Sequence, residues 1–407
     1  MSTSVKMSEI AISPVGGAGS AEPEFEEDEV KVYETFEEME IPDEILRGVY
    51  EYGFEKPSPI QKKAIRPIME GHDVIGHAQS GTGKTGTFVI GSLCHVDVSK
   101  PHVQVLVLSP VRELASQNAK VAREIGSSLG LKVYCATGGP PVKKDIEEIN
   151  KGIHFVSGTP GRIYDLMYRK VIDPLLIKVL VLDEADQMLE ARFREQVEAI
   201  LNMGFAKTVQ VALFSATMPD GIRKIADKMC IDPVRILLPP EKVTLDGINQ
   251  YYVLLDKDSE KLPTLIDLYE NLTISQAIIY VRTRAQAEWL SDQMTRAKFP
   301  LECIHGDMKD DERKAIMDAF IAGEFRVLIA TDMLARGIDI QQINIVINFE
   351  LPDDRENYIH RIGRTGRYGR KGNSINLITK RELSQQKDIE THYKTEILHL
   401  PCELKSL

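Results

Sequence analysis

The sequence predicts an α/β protein of two domains in tandem, each a mostly parallel sheet flanked by helices, joined by a flexible linker. Three observations predict this. From Phe36 onward, short apolar runs of strand length alternate with longer amphipathic stretches, the pattern of buried parallel strands joined by crossover helices. A second series of the same kind begins after Pro239-Pro240. Between one strand and the helix that follows lies a glycine-rich segment, Ala78 to Thr85, where a backbone loop can cradle phosphates.

Taken in order, residues 1–30 are rich in Ser, Gly, Ala, Pro and Glu with few large apolar groups, a composition that does not fold alone. The acidic tail is expected to be disordered over residues 1–35. The first domain is expected over 36–238. Its strands are predicted at 74–76, 103–108, 154–156, 179–182 and 209–214, with crossover helices over 111–129 and 192–203. Adjacent prolines and charges mark residues 239–248 as the linker. The second domain, 249–407, has predicted strands at 276–281, 326–331, 343–348 and 374–378. Both domains are of ordinary size, and no short-period repeat relates them.

The chain has 407 residues, 43% hydrophobic and 27% charged, which places it among soluble globular proteins. No apolar run reaches the roughly 18–20 residues of a membrane span, and MSTSVKMSEI does not read as a secretory signal. Five separated cysteines, Cys94, Cys135, Cys230, Cys303 and Cys402, form neither a zinc pattern nor a disulfide framework and fit a reducing compartment. Net charge is −11, yet residues 1–40 hold eleven acidic residues and two lysines. The acidity belongs mostly to the tail, and the nearly neutral remainder can still offer a basic groove to phosphates.

In Ala78-Gln79-Ser80-Gly81-Thr82-Gly83-Lys84-Thr85, glycines let backbone N–H groups converge on an anion at a helix start. Lys84 is expected at the β- and γ-phosphates and the Thr85 hydroxyl on magnesium. Ala78 stands where the strict pattern has Gly. About a hundred residues on, an apolar strand delivers Asp183, a candidate magnesium ligand, and Glu184, a candidate base for the attacking water. ATP and Mg2+ are the expected substrate and metal.

Asp183-Glu184-Ala185-Asp186 is also where the chain resembles the DEAD-box RNA helicases, from Phe36 nearly to its C-terminus. The resemblance implies two RecA-like domains and an RNA-stimulated ATP hydrolase that binds single-stranded RNA. Gly53 to Pro57 leading to Gln61 matches the family's adenine-reading motif, with Phe36 as the ring that stacks on the base. Ser215-Ala216-Thr217 matches its coupling motif, implying hydroxyl contacts to Asp186 and Asp183. His360 to Arg367 matches its arginine motif, which implies Arg364 and Arg367 as fingers on the γ-phosphate and a coupling role for His360. Ala335 to Asp339 implies Asp339 near the ribose. For RNA the resemblance implies Pro110, Arg112, Gly138, Gly139, Thr159 and Arg162 in the first domain, and Arg282, Gly306, Asp307 and Thr331 in the second. Backbone contacts of this kind give sequence-independent binding.

Two departures stand out: Val111 replaces a usual Thr, and Asp310 a usual Gln. Leu46–Tyr50, Asp232–Leu237 and Glu356–His360 resemble the family's translation-initiation branch. That branch implies a cytoplasmic monomeric core that remodels mRNA 5′ regions beside scaffold proteins. The exon-junction branch, a nuclear RNA clamp of low turnover, remains the alternative, as does a DNA helicase or translocase.

Overall fold

The computed structural model describes residues 28–78, 81–188, 191–218, 220–238, 248–271, 275–332, 343–365 and 372–401. The chain divides between Pro239 and Pro240 into two compact units. Unit 1 contains β1 (Val74–His77), β2 (Val105–Leu108), β3 (Val133–Ala136), β4 (Phe155–Gly158), β5 (Val179–Asp183), β6 (Gln210–Ser215) and β7 (Val234–Leu237). They form one parallel sheet in the order β3-β4-β2-β5-β6-β1-β7. The helices that bear on the site are α1 (Asp43–Glu51), α2 (Pro59–Met69), α3 (Lys84–Leu93), α4 (Arg112–Ile125), α5 (Val142–Ile149) and α6 (Pro160–Tyr168).

The apolar runs behave as period-two strands with both faces covered. Val179 and Val181 of β5 join one core cluster with Phe88 and Ile65, while Leu180 and Leu182 join another with Ile163 and Ile200. A strand buried on both sides needs no polar alternation, which is why it reads as a continuous run. Helix α2 starts where Ser58 caps it, with Pro59 at its first position and Gln61 returning a hydrogen bond to the Ser58 N–H at 2.8 Å, a capping box.

Unit 2 contains β8 (Ile248–Leu255), β9 (Ala277–Tyr280), β10 (Leu301–Ile304), β11 (Val327–Ala330), β12 (Ile345–Asn348), β13 (Gly372–Thr379) and β14 (Leu398–His399). Its order is β10-β11-β9-β12-β13-β8-β14. Counted from each unit's first strand, the two orders are the same. Arg355–Ile362 (labelled α13 below) follows β12.

All the strands expected from sequence are present, with ends that differ by no more than two residues. Strands β3, β7, β8, β10 and β14 were not expected. β3 and β10 contain half-buried or exposed positions, and β8 mixes in Asn249 and Gln250, so none reads as an apolar run. The expected linker lies outside the described residues except Ile248, which is already in β8. Residues 28–34, expected in the disordered tail, bond to unit 1. Asp28 N–H donates to Arg235 O at 3.0 Å, Arg235 N–H to Asp28 Oδ2 at 2.7 Å, and Tyr33 N–H to Lys62 O at 3.1 Å.

Candidate nucleotide and RNA sites

Because each sheet is parallel, every strand delivers its C-terminal end to the same edge, where open α/β sheets bind ligands. In unit 1 the edge divides in two. The residues expected at the phosphates, at magnesium and in coupling lie at or after the ends of β1, β5 and β6, which are adjacent; those expected at RNA follow β2, β3 and β4, also adjacent. Unit 2 repeats the division: Arg282, Gly306, Asp307 and Thr331 follow the neighbouring strands β9, β10 and β11, while His360 and Arg364 follow β12.

In the phosphate loop Gly81 and Gly83 have φ of 85° and 98°, a left-handed backbone that suits glycine. A Cβ on Gly83 would meet Ser58 Oγ at 2.5 Å. Gly83 O accepts from Gln61 Nε2 at 3.3 Å and from Thr87 Oγ1 at 3.0 Å. Gln61 thus ties the α2 cap to the loop, and its amide retains one N–H and one lone pair. Gln79 and Ser80 lie outside the described residues.

Lys84 opens α3, and its Nζ lies 2.9 Å from Glu184 Oε1, the two side chains 5% and 2% exposed. Glu184 has φ of 51°, a left-handed conformation that costs a non-glycine residue about 1 kcal/mol. The strand end is bent there to turn Glu184 toward the loop. Asp183 accepts from Asn118 Nδ2 at 2.8 Å, and Asn118 Oδ1 accepts from the Thr85 hydroxyl at 3.1 Å. Asn118 therefore bridges the two expected magnesium ligands. Burial, then the adjacent Glu184 carboxylate, pushes the Asp183 carboxyl above its ordinary range, opposed by Lys84 and Asn118. Two buried carboxylates facing one lysine form a site that a divalent cation would relieve. Among the described residues no three His, Cys, Asp or Glu side chains converge as a metal cage.

The coupling motif closes on the same edge. Thr217 Oγ1 donates to Asp186 Oδ2 at 3.0 Å, and Asp186 N–H donates to Ser215 Oγ at 3.1 Å. These bonds serve Asp186, whereas the Asp183 carboxylate accepts from Asn118. His77 Nε2 lies 2.9 Å from Ala216 O, joining the phosphate-loop strand to the Ser-Ala-Thr turn.

Phe36 corrects the expectation of a base-stacking ring. Its side chain is 0% exposed and packs against Tyr50 and Phe54 at centroid distances of 6.3 and 6.4 Å. The half-buried ring beside the loop is Phe54, which a Cβ on Gly86 would meet at 2.9 Å.

On the RNA side, Arg112 Nη2 lies where a Cβ on Gly138 would meet it at 2.9 Å. Arg162 forms an ion pair with buried Asp145 and donates Nη2 to Pro140 O at 2.7 Å, while Tyr134 OH donates to Asp145 Oδ1 at 2.6 Å. The three loops are thereby joined, with Gly139 exposed, Thr159 half-buried and Pro110 buried. In unit 2, Arg282 Nη1 bonds Asp353 at 3.1 Å, and Asp307 pairs with Arg284.

In the arginine motif, Arg364 is 2% exposed with Nε donating to His360 O at 3.0 Å. Arg361, 0% exposed, is answered by Asp332, Glu350 O and Asn348, so part of the motif's charge is neutralised by the chain itself. Arg367 and Asp339 lie outside the described residues. Asn118 and His77 were missed, and Phe54 was given no role although it lies inside the adenine-reading motif. Asn118 also carried a signal, as a polar residue on the buried stripe of α4 with Leu114, Ala115 and Ala122.

Residues 58–225 match the DEAD/DEAH box helicase family and residues 260–369 the helicase conserved C-terminal domain. The chain is 45% identical to the ATP-dependent RNA helicase eIF4A of Mycosarcoma maydis, covering 100% of both. It is 48% identical to the ATP-dependent RNA helicase FAL1 of Kluyveromyces lactis over 93% of this chain and 95% of that one. Among solved structures, S. cerevisiae Dbp5 bound to RNA and ADP BeF3 is similar at TM-score 0.83 and 34% identity, covering 90% of this chain and 95% of that one. No helix among the described residues is long and apolar enough to cross a membrane.

Proposed function

The chain belongs to the DEAD-box ATP-dependent RNA helicases, and from that membership we propose that it remodels mRNA 5′ regions in translation initiation by clamping single-stranded RNA. It is an RNA-stimulated ATP hydrolase. The observation that carries the residue assignment is the buried constellation at the ends of β1 and β5: Lys84 on Glu184, and Thr85 and Asp183 joined through Asn118.

In this reading the phosphates of ATP displace Glu184 from Lys84, because a polyanion competes for the buried Lys84 ammonium. The freed carboxylate then orients and deprotonates the attacking water. Thr85 and Asp183 would hold magnesium, whose charge would offset that developing on the phosphates. Gln61 and Phe54 receive the base, and Arg364 and Arg367 supply charge to the γ-phosphate from unit 2. Asp186, Ser215, Thr217 and His360 couple that event to RNA, held at the loops after β2, β3 and β4 and after β9, β10 and β11. Duplexes melt because the clamped strand is bent away from helical geometry. Loss of phosphate removes the charge that engaged the arginines, and RNA leaves.

Relatives named eIF4A and FAL1 resemble the chain about equally, so the cellular role is read from partners. Phosphate release is measured with single-stranded RNA, single-stranded DNA or neither, alongside a pull-down from cytoplasmic extract. Stimulation by RNA alone and capture of initiation scaffolds support the proposal. Equal stimulation by DNA overturns the RNA assignment, and long RNA dwell with exon-junction proteins overturns the initiation role.

A further inference from the structure

A buried polar seam crosses the face of the unit 2 sheet that carries α13. Arg361 Nη1 donates to Asn348 Oδ1 at 3.2 Å, and Asn348 Nδ2 donates to Asn376 Oδ1 at 2.8 Å. Asn376 Nδ2 donates to the Tyr358 hydroxyl at 3.2 Å, Tyr358 OH to Gln250 Oε1 at 2.9 Å, and Gln250 Nε2 to Thr395 Oγ1 at 2.8 Å. Every donor hands on in the same direction, beginning at a guanidinium held by Asp332. Asn348, Asn376, Tyr358 and Arg361 are each 0% exposed. Such chains polarise along their length and are costly to break in the middle.

The seam uses α13 twice. Tyr358 and Arg361 stand one turn apart on one helix face, and both insert into it. Arg361, Asn348, Asn376 and Tyr358 thus close a ring with the helix itself. Apolar contacts also seat α13, through Ile359 and Ile362 against Leu351 and Ile389, but such contacts tolerate small sliding and rotation. Hydrogen bonds of 2.8–3.2 Å fall off steeply with geometry. Immediately after the helix, Arg364 N–H bonds Arg361 O at 3.2 Å and Arg364 Nε bonds His360 O. Whatever fixes the pitch and rotation of α13 fixes where Arg364 starts.

We propose that Tyr358, with Asn348 and Asn376, is a positioning residue for Arg364, the polar ring setting the α13 helix to the register in which that arginine acts. The proposal rests on the finger role read for Arg364 above. Tyr358→Phe removes one hydroxyl at constant shape. RNA-stimulated kcat is expected to fall about tenfold, the scale of a small misplacement of a reacting group, with KM for ATP within about twofold. On an Arg364→Ala background the same change is expected to cost less than about twofold, since its target is gone. Asn376→Leu breaks the ring elsewhere and is expected to give the same split. Ile329→Val, in the core on the other sheet face, serves as a control for lowered melting temperature and is expected to keep full kcat. Full kcat in folded Tyr358→Phe or Asn376→Leu overturns the proposal, as does an equal loss with and without Arg364. Full kcat in Arg364→Ala alone is a different failure, since it removes the finger role and this proposal with it.

Discussion

At Glu184 a φ of 51° bends the end of β5 so that Asp183 and Glu184, neighbours in sequence, meet different partners. Asp183 turns to Asn118 and Glu184 to Lys84. Glu184→Gln is expected to keep ATP affinity within a few-fold while phosphate release falls about a hundredfold or more, the range for a lost general base. Release near the wild-type rate would remove Glu184 from the chemistry. Arg162 makes a different kind of prediction. Its guanidinium is neutralised by Asp145 and tied to Pro140 O, so it braces the loop after β3. Arg162→Gln is expected to weaken RNA binding without altering the slope of log affinity against log salt. A slope reduced by about one phosphate charge would show direct neutralisation instead. The residue types at these positions were legible from the chain: a carboxylate pair, a lysine after glycines, an arginine after Thr-Pro-Gly. Their pairings were not, because Asp145 and Asn118 lie on helices far from their partners in sequence and their roles depend on which loops the sheet brings together.

Among the elements, the apolar strands were readable because both their faces are covered, and the half-exposed β3 and β10 were not. Helix packing adds a constraint no single segment shows. Gly48 on α1 faces the end of α4, where an added Cβ would lie 1.9 Å from Ile125 O. Backbone cannot yield as a side-chain tip does, so Gly48→Ala is expected to destabilise unit 1 by about 1–3 kcal/mol. That should lower its thermal midpoint by several degrees, about 2–4 °C per kcal/mol for a domain of this size. An unchanged midpoint would mean that α1 can move away from α4 at no cost. Phe36 shows the same limit in reverse: an aromatic upstream of the adenine motif reads as a base contact until packing buries it beneath Phe54.

For the whole molecule, the central fact is the same strand order in both units, with residues expected at RNA on one half of each edge. Arg364→Ala is expected to lower RNA-stimulated kcat about a thousandfold, as loss of an arginine finger does, with ATP affinity within a few-fold. Equal loss of both would make Arg364 a binding residue. The sequence by itself determined the class of fold, the two-unit organisation, the phosphate loop and the acidic pair, because each is local: a period, a turn, a strand end. It also carried the family, since the motifs occur in order along one chain. Tertiary structure alone decided that Asn118 bridges Thr85 and Asp183, that Phe36 is sealed and Phe54 stands beside the loop, and that Arg361 is spent on Asp332 while a polar ring seats its helix. Those are relations between residues 13 to 65 positions apart, and they exist only once the chain has folded and parallel strands have carried their ends to a common edge.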